Sequence, residues 1–96
     1  MSEILDQAVT MLNQQMAGKS FDGTAMFVLT GEGSIFVDRG EARAGEGPAE
    51  VTLTAAPETF RDILSGALNP ASAFMSGKLA VDGDMGAAMR LASVLG

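Results

Sequence analysis

Residues 69–91 read NPASAFMSGKLAVDGDMGAAMRL, and their hydrophobic period changes twice. Asn69 followed by Pro70 is an N-cap with proline at the first helical position, which predicts a short helix through Met75. From Lys78 to Asp82 apolar and polar residues alternate, as they do in a β-strand. Asp84 can cap a last helix, whose apolar stripe is Met85, Ala88, Met89, Ala92 and Leu95.

The residues just before this stretch predict one more strand and one more helix. Val51-Thr52-Leu53-Thr54 alternates as a strand. Pro57 suits the first turn of a helix that ends at Gly66 and carries Phe60, Ile63 and Leu64 on one side.

The first half of the chain predicts a helix followed by three strands. Ser2 can cap an amphipathic helix that stops at Gly18, and a turn follows at Asp22-Gly23. Residues 27–29 and 35–37 are apolar strand segments, joined by a hairpin at Gly31-Glu32-Gly33. Residues 41–46 form a weak, polar third strand. The apolar positions of the first helix are Ile4, Leu5, Ala8, Val9, Leu12 and Met16. We expect the first four strands to form a meander.

The order of elements predicts the fold class. Strands and helices are segregated rather than alternating, which is typical of an α+β domain with helices packed over one face of a mainly antiparallel sheet. The chain has 96 residues and no shift in composition, so residues 1–96 are predicted to form one domain.

Composition excludes several kinds of chemistry and partner. The chain has no histidine and no cysteine, so it lacks an imidazole base, a thiolate nucleophile and the usual ligands of zinc. Its net charge of −6 and its scattered basic residues argue against nucleic acid. The longest apolar run, Ala25 to Leu29, is too short to cross a bilayer, so we expect no stable membrane insertion. Glu3 and Asp6 do not suit a secretory leader, and we expect a cytoplasmic protein.

Three motifs that resemble chemical sites have simpler explanations. Asp82-Gly83-Asp84 lacks the remaining ligands of a calcium loop and is better explained as a turn with a helix cap. Gly31-Glu32-Gly33 joins two strands and lacks the third glycine of a dinucleotide site. No carboxylate lies in an apolar segment that would raise its pKa for acid–base work. We therefore expect no metal, no cofactor and no catalytic residue.

Methionine is unusually frequent, with seven in the chain. Met26, Met75, Met85 and Met89 fall on predicted apolar faces. Flexible thioethers suit a pocket that accepts several ligand shapes, but they also fill gaps in an ordinary core. The spacing of the methionines alone favours the second explanation, that they fill gaps in an ordinary core. Similarly, Arg61, Lys78 or Arg90 could meet a lipid carboxylate, although simple surface charge is the better explanation for each.

Residues 69–91 closely resemble the C-terminal signature of the sterol carrier protein type-two family. The similarity extends back through Thr52-Leu53-Thr54, the helix with Glu58 and Phe60, and the turn of residues 66–70. It also includes Phe21-Asp22-Gly23. It is strong after residue 50 and looser before it.

This resemblance implies a five-stranded sheet covered by helices, with a hydrophobic tunnel between the two layers. Family members bind and transfer fatty acids, acyl-CoA, phospholipids or sterols without chemistry. Carried over by position, the lipid-binding residues from the strands are Phe27, Leu29, Ile35, Val37, Leu53, Leu79 and Val81, and those from the helices are Phe60, Leu64, Phe74, Met75, Met85, Met89 and Leu95. The match does not separate the residues that touch ligand from those that only pack.

The resemblance favours a lipid carrier as the function. The composition, rich in alanine and glycine, looks bacterial, so a fatty acid, phospholipid or isoprenoid quinone is a better expected ligand than a sterol. The alternative is an accessory module that presents a quinone or another hydrophobic intermediate to a biosynthetic enzyme. The sequence ends Val94-Leu95-Gly96, which is unlike a peroxisomal signal, so we do not expect peroxisomal import. Family members often continue with a segment that covers the tunnel, so we expect either an open mouth or one closed by a second subunit in a homodimer.

Overall fold

The computed structural model describes residues 3–18, 21 and 23–95, with the backbone alone at Leu95. Ser2 and Asp22, to which we assigned a helix cap and a turn, lie outside this part. The elements in chain order are α1 (Glu3–Met16), β1 (Thr24–Leu29), β2 (Gly33–Asp38), β3 (Glu41–Ala44), β4 (Val51–Ala55), α2 (Pro57–Ser65), α3 (Pro70–Met75), β5 (Leu79–Gly83) and α4 (Met85–Leu95).

The five strands form one sheet in the order β3-β2-β1-β4-β5. Three neighbouring pairs are antiparallel, and β1 and β4 are parallel, with Phe27 opposite Leu53. The prediction of a mainly antiparallel α+β sheet is therefore confirmed. The prediction that the first four strands form a meander is wrong, because β4 pairs with β1 instead of β3.

The connection from β3 to β4 explains this departure. Three strand spacings of about 4.8 Å separate β3 from β4, about 14 Å in all, and six residues can span up to about 20 Å. Residues 45–50 make this crossing, since the Gly45 amide bonds to the Ser34 carbonyl in β2 and the Glu50 amide to Thr24 in β1. A β-carbon at Gly47 would lie 2.9 Å from the Phe36 ring, so the loop passes closely over that side chain.

All four helices lie over one face of the sheet, as the element order predicts. Ala25, Phe27 and Leu29 of β1 point to this face and are buried. Helix α1 packs against β2, β3 and α2, whereas α3 and α4 cover β5, and α4 also contacts β4. No helix in the described part of the chain is long and apolar enough to cross a membrane.

The helix ends follow local signals in the sequence. Asn69 Oδ1 accepts hydrogen bonds from the amides of Ala71 and Ser72, at 2.8 and 3.4 Å. Asp84 Oδ1 accepts from the Gly86 amide at 2.8 Å. Gly66 closes α2 in the left-handed conformation, with φ of 86°. These three predictions are confirmed because a cap needs only residues within one turn of the helix end.

Candidate lipid cavity

A cavity of about 150 Å³ lies between the β1-β4-β5 side of the sheet and the helices α2, α3 and α4. Every side chain that lines it is apolar. The lining residues are Phe27, Leu53, Phe60, Ile63, Pro70, Ala71, Phe74, Leu79, Val81, Met85, Ala88, Met89 and Ala92.

The sheet contributes one wall through the pairing of its strands. Leu53 of β4 lies opposite Phe27 of β1 on one side and opposite Val81 of β5 on the other, so the three side chains form a row. Helix α2 meets this row with Phe60, whose ring stacks on Phe27 at 5.3 Å between centroids and 17° between planes. Such an offset aromatic pair adds about 0.5–1.5 kcal/mol beyond the burial of its area.

Helix α4 has two apolar stripes with different roles. Ala87, Leu91 and Val94 form one stripe and are buried in the core. The other stripe lines the cavity with Met85, Ala88, Met89 and Ala92, at spacings of three and four residues. We predicted the second stripe from the sequence but missed the first. The helix is apolar around most of its circumference, so period alone does not choose the core face.

The cavity opens toward solvent at a ring of large apolar side chains. Of the cavity-lining residues, Phe74 is 46% exposed, Met85 49% and Met89 70%. Large apolar side chains clustered on a surface mark a site of interaction. Met75, the last residue of α3, is 86% exposed and does not line the cavity.

Charged side chains stay away from the cavity wall in the described part of the chain. Arg61 lines a separate small hollow beside α1 and α2, and Lys78 is exposed. Arg90 Nη2 lies 3.8 Å from Glu50 Oε2, and both side chains are exposed. No group of described acidic residues is arranged to hold a metal ion. The wall therefore offers dispersion contacts and no polar side chain to anchor a headgroup.

The structure brings eight of the predicted lipid-binding residues together around this cavity: Phe27, Leu53, Phe60, Phe74, Leu79, Val81, Met85 and Met89. Leu29, Ile35, Val37 and Leu64 lie in the packed core, where they are nearly inaccessible. Helix α1 covers the part of the sheet that carries Leu29, Ile35 and Val37, and Leu29 and Leu64 border the separate small hollow beside α1 and α2. The side chain of Leu95 lies outside the described residues. Ligand contact by any of these residues stays a prediction.

Five residues that line the cavity were not among the predicted lipid-binding residues. Ile63 was predicted on the apolar side of α2, but its neighbour Leu64 was chosen for the site. Ala88 and Ala92 were predicted on the apolar stripe of α4 but were not included among the lipid-binding residues. Pro70 and Ala71 were assigned only a role in starting α3. Each of these residues therefore lay on an element that had been predicted, but none was assigned to the site.

Met26 departs from its predicted place on an apolar face. It alternates with Ala25 and Phe27 along β1, so it points to the outer face of the sheet, away from the helices. Val28, the next residue of β1 that points to the outer face, is likewise partly exposed.

The model of the SCP-2 sterol transfer family matches residues 4–96. Hydroxysteroid dehydrogenase-like protein 2 of Xenopus tropicalis is 36% identical over 98 aligned residues, which cover 94% of this chain and 24% of that protein. The chain thus spans about a quarter of the length of this curated relative.

Solved structures of sterol carrier proteins share the fold. The solution structure of sterol carrier protein domain 2 of Helicoverpa armigera superposes with a TM-score of 0.79 at 25% identity, covering 96% of this chain and 85% of that one. Sterol carrier protein-2 of Aedes aegypti, solved in complex with palmitate, superposes with a TM-score of 0.78 at 22% identity, covering 99% and 96%.

Proposed function

Because the chain belongs to the SCP-2 sterol transfer family, we propose that it binds an apolar lipid in the cavity between the sheet and helices α2–α4 and transfers it without chemistry. One observation carries this proposal: the cavity is lined entirely by apolar side chains and opens at Phe74, Met85 and Met89. The proposal treats residues 1–96 as a single lipid-binding domain in the cytoplasm.

The energetics of burial support an apolar ligand. Each methylene removed from water contributes about 0.8 kcal/mol, so a chain of several methylenes offsets the cost of association, which amounts to several kcal/mol, without a polar anchor. The methionines at the opening can adjust to different chains, because an unbranched thioether has three rotatable bonds. A fatty acyl chain is the first ligand to test, since palmitate occupies the Aedes aegypti relative.

The proposal that no reaction occurs rests on the residues available. The chain has no histidine or cysteine, and the lining of the cavity includes no carboxylate, hydroxyl or amine. A general acid or base must come within hydrogen-bond reach of the reacting atoms. The cavity wall holds no such side chain.

An accessory role remains a second proposal, and the length of the relatives favours it. The chain matches only a quarter of hydroxysteroid dehydrogenase-like protein 2. A domain of this kind, placed beside an enzyme, would present a quinone or another hydrophobic intermediate to it. Copurification of a stoichiometric enzyme partner would support this role, whereas transfer of lipid between vesicles by the isolated protein would favour the free carrier.

Thermal unfolding of lipid-stripped protein tests the binding proposal. A ligand that binds only the folded state stabilises it by about 2.7 kcal/mol when its concentration is a hundredfold above Kd. For a chain of this size, about 1 kcal/mol raises the Tm by roughly 4–8 °C. We expect palmitate to raise the Tm by roughly 4–8 °C or more. Acetate, which has the same headgroup and no chain, should leave the Tm unchanged. Equal midpoints with palmitate, lysophospholipid, a quinone analogue and acetate would refute lipid binding.

A further inference from the structure

The size of the cavity is set by alanines on α3 and α4. Ala71, Ala88 and Ala92 line it from α3 and α4, and the stacked rings of Phe27 and Phe60 line it from β1 and α2. Ala88 and Ala92 are one helical turn apart, so they project over the same part of the cavity. A leucine or phenylalanine at either position would project its side chain into the open volume.

The volume of the cavity is smaller than a whole long-chain lipid requires. Pockets for drug-sized ligands measure about 300–1,000 Å³, whereas this one measures about 150 Å³. An engineered apolar cavity of about this volume binds benzene. The cavity therefore fits one ring or the last few carbons of a chain, and the rest of a longer ligand would lie outside it.

The polarity of the wall decides which end of the ligand enters. A carboxylate or phosphate placed among these apolar side chains would lose its water and gain no partner, which is strongly unfavourable. At the opening, Met85 and Met89 combine apolar surface with access to water. The polar end therefore stays outside, and the part of the chain next to it lies across these methionines.

We propose that the ligand binds tail-first, with the end of its chain enclosed against Ala88 and Ala92 and its headgroup in solvent beyond Met85 and Met89. Selectivity then depends on the width of the tail and little on the headgroup. This inference rests on the proposed lipid-binding function and adds the orientation of the ligand and the residues that limit its width.

Filling the cavity with a side chain tests the role of the alanines. The Ala92→Phe variant introduces a phenyl ring into a volume that matches one benzene molecule. We expect the affinity for laurate to fall at least roughly tenfold, because the loss of two buried methylenes is already enough for that change. Ala80→Phe is the matched control. It adds the same ring at an exposed position of β5, between Leu79 and Val81, which face the cavity.

Circular dichroism establishes that both variants are folded, and Ala92→Leu replaces Ala92→Phe if the larger side chain prevents folding. Equal laurate affinity in wild type, Ala80→Phe and the folded Ala92 variant would overturn the assignment of the cavity wall. Failure of wild type to bind laurate, lysophospholipid and a quinone analogue would refute the proposed function itself, so the two failures are distinguishable.

Ligand series test the orientation. Laurate, dodecanol and dodecylphosphocholine share a tail and differ in headgroup, and we expect their Kd values below micelle formation to agree within roughly threefold, or less than 1 kcal/mol. A carboxylic acid whose chain ends in phenyl should bind, and one whose chain ends in the wider adamantyl group should bind at least roughly tenfold more weakly. A preference of more than tenfold for one headgroup, or equal affinity for both tail ends, would overturn tail-first binding.

Discussion

The two halves of the apolar sheet face carry the same alternation of side chains but pack differently. Under α1, Leu12, Ile35 and Val37 meet in a solid core and are fully buried. Under α3 and α4, the equivalent strand residues Leu53 and Val81 face a cavity. The strands do not explain this difference, since Phe27 lies between the two halves and pairs in register with Ile35 and with Leu53.

The helices explain it. Helix α1 places leucine and methionine over the sheet, and its polar residues attach it to neighbouring backbone. Asn13 donates from Nδ2 to the Ala42 carbonyl and accepts from the Ala42 amide through Oδ1, at 3.1 and 2.9 Å. Gln15 Nε2 donates to the Leu64 carbonyl at 2.6 Å. On the cavity side, α4 presents Ala88 and Ala92 where α1 presents large residues. Small side chains on a covering helix leave room that the sheet alone cannot fill.

The largest difference between the halves should appear when a core side chain is truncated. We expect Leu12→Ala to lower the free energy of unfolding by about 2–5 kcal/mol, because it removes a fully buried side chain from a region that cannot collapse around the gap. Urea denaturation measures this change. Met89→Ala is the matched truncation in the other half and should cost less than about 0.5 kcal/mol, since Met89 is mostly exposed. Similar losses in the two variants would show that the halves are equally packed.

The attachment of α1 to the edge strand β3 should make the next largest contribution to the free energy of unfolding. Asn13→Ala leaves the amide and carbonyl of Ala42 without their side-chain partner on a partly buried edge, which should cost about 1–3 kcal/mol. Gln14, the next residue along the helix, is exposed, and Gln14→Ala is the control with little expected change. Hydrogen exchange at the Ala42 amide checks the cause. Unchanged exchange in Asn13→Ala would mean that the side chain does not protect this edge.

A charge at the cavity opening should affect binding more than folding. Because Met89 is largely exposed, Met89→Glu keeps its carboxylate hydrated, and we expect the free energy of unfolding to change by less than about 0.5 kcal/mol. Lipid affinity should fall by about tenfold, because a bound chain would lie against the charge. Met89→Leu is the control and should retain affinity. If Met89→Glu binds lipid as tightly as wild type, the chain does not cross this residue.

The smallest change in the free energy of unfolding is expected when the Arg90–Glu50 ion pair, in the half that holds the cavity, is removed. Arg90 and Glu50 are 3.8 Å apart and exposed to solvent, so Arg90→Ala should change the free energy of unfolding by less than about 0.5 kcal/mol. Thermal unfolding at low and high salt measures it, with Arg61→Ala as an exposed control. A larger loss of stability, seen only at low salt, would show that this ion pair holds α4 to the start of β4.

Local features of the structure could be predicted from the sequence alone. Gly66 determines where α2 ends, and Asn69 and Asp84 determine where α3 and α4 begin, because each cap depends on atoms within one turn of the helix. The hairpin between β1 and β2 and the burial of one face of β1 and β4 follow from period-two alternation. Membership of the family was also recognisable from residues 69–91, since that stretch is long and specific.

Other features were decided only by tertiary structure. The pairing of β4 with β1 depends on the path of residues 45–50 across the outer face, and neither propensity nor period encodes that path. Leu29 and Ile35 look like the cavity residues Phe27 and Leu53 in sequence, and their burial in the core depends on which helix covers them. Ala88 and Ala92 line the cavity because of where α4 lies. A cavity is the space left between elements, so its walls depend on how distant parts of the chain pack, which local residue chemistry does not specify.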